Sequence, residues 1–174
     1  MAGLQVHTAE TAYAVTQAEI KAWCKIDSSD DDVTVALIER AVHNWAKEYT
    51  SRTLTTVTYN LFIDTVYESD IPIQEGFYVG YDGRSNKRSI DLPKSPVASV
   101  SHIKYYDDAD TATTFASSNY YLDTASIPAR IVLRKGSSYP TSLRVANGIE
   151  IKYVAGYGAT TTVPYDIKSA CLAY

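Results

Sequence analysis

Three consecutive carboxylates, Asp30-Asp31-Asp32, form the densest titratable group in this chain. Carboxylates bind a hard cation when their spacing brings several oxygens to one point. Consecutive residues on a helix point in different directions, and neither the alternating acidic spacing nor the glycine of a calcium loop follows here. The same residues suit the first turn of a helix, where unpaired N–H groups and the helix dipole favour negative charge. His7, His43 and His102 stand far apart, without HExxH or another metal-ligand spacing. Ser101-His102-Ile103-Lys104 matches S-x-x-K by letters. It lies in a strand pattern, however, where residues three apart face opposite ways. Gly156-Tyr157-Gly158 precedes a helix as a phosphate cradle would, yet the third glycine and the P-loop lysine are missing. Arg84, Lys87 and Arg88 make a small basic cluster, read either as a solvated loop or as a contact for an acidic partner or DNA. Neither paired carboxylates, a nucleophile elbow nor a Cys/His pair is visible. The expectation is a protein that is not an enzyme, with no catalytic residue, metal or cofactor, whose function lies in its surfaces.

The elements carrying these residues divide the chain unevenly. Residues 1–14 lack periodicity and read as a flexible N-terminal arm. Thr16 reads as an N-cap, Glu19 completes a capping box, and Val15 and Ile20 flank it as a hydrophobic staple. Ile20, Trp23 and Cys24 share a face, so a short helix over about 16–26 docks by that face. A second helix over about 30–52 carries Val33, Leu37, Ala41, Trp45 and Tyr49 at four-residue spacing, with Ile38 and Val42 as a second stripe. So broad an apolar surface implies contact with the sheet, with another subunit, or with both. Glu39, Arg40, Lys47 and Glu48 supply its wet side.

From Thr53 the period changes. Val57, Tyr59, Leu61 and Ile63 alternate with polar neighbours, as a half-buried strand does. Residues 64–88 read as a long loop carrying Phe77, Tyr78 and Tyr81 ahead of the basic cluster, and long loops of this kind are more often functional than decorative. Further short strands are expected at 89–92, 97–106, around 115, at 120–122, 129–134 and 149–154. Residues 156–162 read as a mobile connector. Pro164 then opens a helix over about 164–174, too short to persist without a docking surface. The fold class is α+β: an N-terminal helical pair and a short C-terminal helix packed with a central antiparallel β-sheet or small barrel. The β region spans about 55–157, within one domain over 15–174.

Bulk properties narrow the function classes. With 174 residues, 45% hydrophobic and 21% charged, the chain can bury one sizeable core and is not disordered. A net charge of -4 argues against gripping nucleic acid by phosphate neutralisation. No stretch approaches the about 20 apolar residues of a membrane span, and the N-terminus lacks the features of a secretory signal. Cys24 and Cys171 sit in apolar helical contexts without CxxC and read as reduced core thiols. Fifteen tyrosines against three phenylalanines fit either a tyrosine-rich sheet with a wet face or multi-subunit interfaces, which favour such rings.

Several segments occur in a characteristic order. They are Val15-Thr-Gln-Ala-Glu-Ile-Lys-Ala-Trp23, the acidic spacer Asp27–Asp32, Tyr49-Thr-Ser-Arg52, Ile90-Asp-Leu-Pro-Lys-Ser-Pro-Val97, Ser99-Val-Ser-His-Ile103, Pro128-Ala-Arg-Ile131 and Ile151-Lys-Tyr-Val-Ala-Gly-Tyr-Gly158, ending in Val163-Pro-Tyr-Asp-Ile167. Together they resemble the head-tail connector proteins of tailed bacteriophages, also called adaptor or head completion proteins, over nearly all of residues 15–174. The resemblance implies a structural virion protein, made in the host bacterial cytoplasm and located in the neck. There it forms a homo-oligomeric ring, usually of twelve subunits, under the portal protein. The ring joins the DNA-filled head to the tail, meets a stopper or tail-terminator protein, and extends a channel through which DNA passes without sequence-specific binding. It also implies that the C-terminal helix reaches the portal, which here makes Tyr165, Ile167, Lys168, Cys171, Leu172 and Tyr174 candidate portal contacts. That helix stops at Tyr174, earlier than the resemblance leads one to expect. Trp45, Tyr49, Phe77, Tyr78, Tyr81, Arg84 and Arg88 are candidates for the subunit or tail-side interface. Asp30, Asp31, Asp32 and Glu39 are candidates for a channel lining that repels the duplex. Another neck or tail component, such as a stopper or tail-completion protein, or a small β-rich ligand-binding domain, are the alternatives.

Overall fold

A computed structural model describes residues 2–64 and 88–174. The chain opens not with a loose arm but with a strand, β1 (Ala2–Thr8). It is followed by helices α1 (Gln17–Cys24) and α2 (Asp32–Thr50) and by strand β2 (Val57–Ile63). Then come β3 (Ser89–Asp91), β4 (Val97–Tyr106), β5 (Ala112–Thr114), β6 (Tyr120–Asp123), β7 (Arg130–Leu133) and β8 (Ile149–Ala155), and finally helix α3 (Tyr165–Ala173).

The strands form two open antiparallel sheets, so of the two expected β architectures the sheet is present and the barrel is not. The larger has the order β1-β2-β8-β4-β5 and the smaller β3-β7-β6. In β2 and β8 the alternation seen in sequence becomes burial. Val57, Tyr59, Leu61 and Ile63 face inward beside Ile149, Ile151 and Tyr153, with Leu61 opposite Ile151 and Tyr59 opposite Tyr153. Ile90, Ile131, Leu133 and Tyr120 of the smaller sheet complete one core with them. Tyr153 serves both ends of its ring: the body is buried and the hydroxyl donates to the Pro93 carbonyl at 2.7 Å.

The expectation of a flexible arm over 1–14 is corrected by the pairing of β1 with β2, Leu4 opposite Leu61 and Val6 opposite Tyr59. Seven residues carry too little pattern to announce an edge strand that is exposed on most of its length; pairing with a strongly patterned neighbour orders it. The next residues are pinned as well. Thr55 Oγ1 donates to the Ala12 carbonyl at 2.8 Å and Thr160 Oγ1 to the Tyr13 carbonyl at 2.7 Å.

A second apolar cluster sits under the helices: Ala14, Val15, Ile20, Val35, Val42, Ala46, Leu54, Val163 and Cys171. The molecule therefore has a sheet body and a helical end, joined where Leu54 and Thr55 pass from α2 into β2. The expected mobile connector after β8 is part of this joint. Gly156 donates its N–H to the Pro96 carbonyl at 2.8 Å, and Thr56 N–H donates to the Gly158 carbonyl at 3.0 Å. Gly156 has φ +115°, and a Cβ there would lie 2.1 Å from the Thr55 carbonyl oxygen. Only glycine lets the two backbones approach this closely.

Candidate assembly surfaces

The helical end is built from its first cap. Thr16 Oγ1 accepts from Glu19 N–H at 3.2 Å, and the Glu19 carboxylate accepts from Thr16 N–H at 2.7 Å, so the capping box is complete. Val15 and Ile20 are buried beside it. Glu19 has a second task. Its other oxygen accepts from Lys168 Nζ of α3 at 2.7 Å. Partial burial pushes the Glu19 carboxyl upward, but the Lys168 and Thr16 hydrogen bonds outweigh it and hold the group below its ordinary value.

This pairing decides the fate of α3. Lys168 and Cys171 are buried against the subunit's own helices, and Ile167 and Leu172 pack on the same cluster. Of the candidate portal contacts, Lys168 and Cys171 are thus buried within the subunit, while Ile167 and Leu172 are partly buried. Tyr165 and Tyr174 remain exposed. Cys171 has its thiol pushed up by burial, whereas Cys24 is exposed, so only one of the two expected core thiols is in a core. Trp23, expected beside Ile20 on the docking face, is also exposed.

Helix α2 divides its broad apolar surface between a buried side and an exposed one. Its buried row is Val35, Val42, His43 and Ala46. Of the two expected stripes, Val42 is thus buried, whereas Val33 at 77%, Leu37 at 62% and Tyr49 at 79% are exposed, with Ile38 beside them. Trp45 is half-buried and stacks on Tyr49 at 5.3 Å and on Tyr174 at 4.3 Å between ring centroids. Sequence reasoning left His43 to a structural or surface role without naming its partner. It is fully buried, and its Nδ1 accepts from Ala14 N–H at 3.0 Å, which leaves the proton on Nε2, 3.5 Å from Glu10 Oε1. The Tyr13 ring meets it edge-on at 5.3 Å. Burial holds His43 below its ordinary pKa, and the nearby Lys47 ammonium adds to this. Glu10 opposes it but is itself engaged by Lys47. A lone histidine within an apolar helix face could have hinted at such a buried polar joint; its partner is a backbone N–H, which no side-chain motif announces.

The acidic candidates separate. Asp30 and Asp31 are exposed, and Asp31 caps α2 without a side-chain hydrogen bond. The Asp32 carboxylate forms an ion pair with Lys21 of α1, and Glu39 accepts from Gln17 Nε2 at 3.2 Å. Of the loop candidates, Phe77, Tyr78, Tyr81 and Arg84 lie outside the described residues. Arg88 donates from Nη2 to the carbonyls of Arg134 at 3.0 Å and Ser137 at 3.3 Å, tying the start of β3 to the residues after β7. Among the described residues, no three His, Cys, Asp or Glu side chains gather as a metal site, and no helix is long and apolar enough to cross a membrane.

No protein-family model matches the chain, and no curated protein matches it. Solved structures do. A chain in the neck of an empty gene transfer agent (GTA) particle, computed with C6 symmetry, superposes with TM-score 0.72 at 19% identity, covering 98% of this chain and 80% of the other. This chain therefore shares its fold with a chain found in that neck. A chain in the virion of the native gene transfer agent particle gives TM-score 0.70 at 19% identity, over 97% of this chain and 79% of that one. A chain in the native neck computed with C12 symmetry gives 0.63 at 17% identity, over 98% and 79%. The sequence likeness pointed to a protein of the virion neck, and the chains that share this fold come from the neck and virion of gene transfer agent particles.

Proposed function

We propose that this chain is a structural virion protein of the neck. It forms a ring, usually of twelve subunits, beneath the portal, joins the DNA-filled head to the tail and extends the DNA channel. The observation that carries this reading is the near-full-length match to chains from necks with C6 and C12 symmetry. The molecule's own chemistry agrees. Glu19, His43 and Glu10 are spent on joints between elements, and Trp23, Val33, Leu37, Ile38, Tyr49 and Tyr165 are large apolar groups exposed on helices. Such an arrangement suits assembly, not turnover.

Within that ring, Tyr165 and Tyr174 at the two ends of α3 are the proposed portal contacts. Asp30 and Asp31, exposed at the start of α2, are the proposed channel-facing charges, where they repel the DNA backbone and keep it sliding. Trp45, Tyr49 and Arg88, with Phe77, Tyr78, Tyr81 and Arg84, serve the subunit or tail-side interface, the tail-side partner being a stopper or tail-terminator protein. No membrane and no cofactor enter this role. The test is to mix the purified protein with DNA-filled, tailless capsids and image the portal vertex by electron microscopy. A ring of added density under the portal is expected. Capsids that stay bare while the protein is folded refute the adaptor role and leave a tail-side component as the better reading.

A further inference from the structure

Residues 124–149 hold four cations, Arg130, Arg134, Lys135 and Arg144, and not one carboxylate, in a chain whose net charge is -4. Two of the four are neutralised where the fold places them, Arg130 by Asp123 at 2.8 Å and Arg144 by Asp110 at 3.0 Å. Arg134 and Lys135 are exposed and have no carboxylate partner among the described residues. They sit where β7 ends, in a turn closed by Ser137 N–H, which donates to the Arg134 carbonyl at 3.1 Å. Gly136 takes φ +87°, the left-handed value that the third position of a type II turn requires, and this leaves Lys135 at the corner. The turn is held from two sides. Arg134 N–H donates to the Asn119 carbonyl at 2.9 Å, and Arg88 Nη2 donates to the carbonyls of Arg134 at 3.0 Å and Ser137 at 3.3 Å. The Arg134 guanidinium lies over the Tyr121 ring, 5.7 Å from its centroid. Folding thus brings Arg88 to Arg134, 46 residues later, and adds a third positive charge to the same end of the smaller sheet.

From these observations, and resting on the ring reading above for the presence of a duplex, we infer that the Arg134–Lys135 turn is a contact for the phosphate backbone of DNA, with Arg88 as its positioning residue. Charge complementarity names the partner. Cations left unpaired in an acidic molecule attract a polyanion, and phosphate oxygens accept from arginine, lysine and serine alike. An acidic protein fits less well. Lysine is depleted at the centres of protein interfaces, and this turn offers glycine and serine where such a centre places bulky apolar groups. Rigidity matters too, because a turn fixed before binding loses little freedom on contact. Two phosphates per subunit make a weak contact that carries no base information, so DNA still passes without sequence-specific binding. Repeated around a ring, these cations act together as linked sites do. They work against the repulsion proposed for Asp30 and Asp31, which keeps the hold on a moving duplex light.

The experiment follows the fluorescence anisotropy of a labelled DNA duplex of mixed sequence as the full chain is added, starting at about 0.01 M salt, where screening is weakest. Two phosphate contacts predict that log affinity falls against log salt with a slope of about -1.8, so a threefold rise in salt weakens binding about sevenfold. The double variant Arg134→Gln, Lys135→Gln changes two exposed sites. It is expected to flatten the slope to near zero with an unchanged circular dichroism spectrum. No binding by the unaltered chain at the lowest salt, or a slope that the double variant leaves intact, overturns the contact. Both proteins are also added to DNA-filled, tailless capsids and imaged. Equal rings are expected, since the turn meets DNA and not the portal. Loss of the ring from the double variant alone assigns the turn to a protein partner and overturns the inference. If the unaltered protein forms no ring yet keeps its salt slope on the duplex, the ring reading fails and the DNA contact stands.

Discussion

Replacing His43 with leucine tests the joint on which the helical end depends. Leucine fills most of the volume but cannot accept a hydrogen bond. The Ala14 N–H, now bonded to Nδ1 at 3.0 Å in a fully buried setting, is left without a partner. An orphaned buried donor costs about 1–3 kcal/mol. With a urea slope of about 2 kcal/mol per molar, a loss of about 2 kcal/mol lowers the unfolding midpoint by about 1 M at pH 7.5. The pH dependence identifies the cause. Histidine's ordinary value is 6.5, and burial and Lys47 lower it in the folded protein. The unfolded chain therefore takes up the proton first. The contribution of neutral His43 is complete above pH 6.5 and is lost as pH falls below 6.5 toward the lowered folded value. Protonating Nδ1 also turns the acceptor of the Ala14 N–H into a second donor. The gap between wild type and His43→Leu should consequently shrink between pH 7.5 and pH 5. Urea titrations followed by tryptophan fluorescence measure it. Equal midpoints at pH 7.5, or a gap that widens in acid, refute the reasoning.

Two further outcomes follow from the same joints. Thr16→Ala removes the acceptor for Glu19 N–H and half of the capping box; it should cost about 1 kcal/mol and lower Tm by about 3 °C in a thermal melt. Gly156→Ala places a Cβ 2.1 Å from the Thr55 carbonyl at φ +115°. It should cost about 3 kcal/mol or more, seen as a Tm drop of about 10 °C, whereas an equal melt would show that the β2–β8 joint can open without loss.

Sequence alone determined much of the body of this protein. Period-two alternation placed Val57–Ile63 and Ile149–Tyr153 in the core because one face of a strand must be dry, and the Thr16–Glu19 box marked its helix because two orphan N–H groups need those oxygens at that spacing. The ordered segments also pointed to a neck protein, and chains in solved particle necks share this fold. What only the tertiary structure decided was orientation. Helix α2 carries two apolar rows, and periodicity cannot say which turns inward. The choice fell to Val35, Val42 and Ala46 because His43 beside them finds the Ala14 N–H, and because Lys21, Gln17 and Glu10 draw the flanking charges to that side. The rejected row became the outward face. Likewise, β1 is a strand only because β2 lies beside it, and α3 turns Lys168 inward only because Glu19, 149 residues earlier, is there to receive it. Each of these depends on a partner remote in sequence, and a pattern read along the chain does not contain such partners.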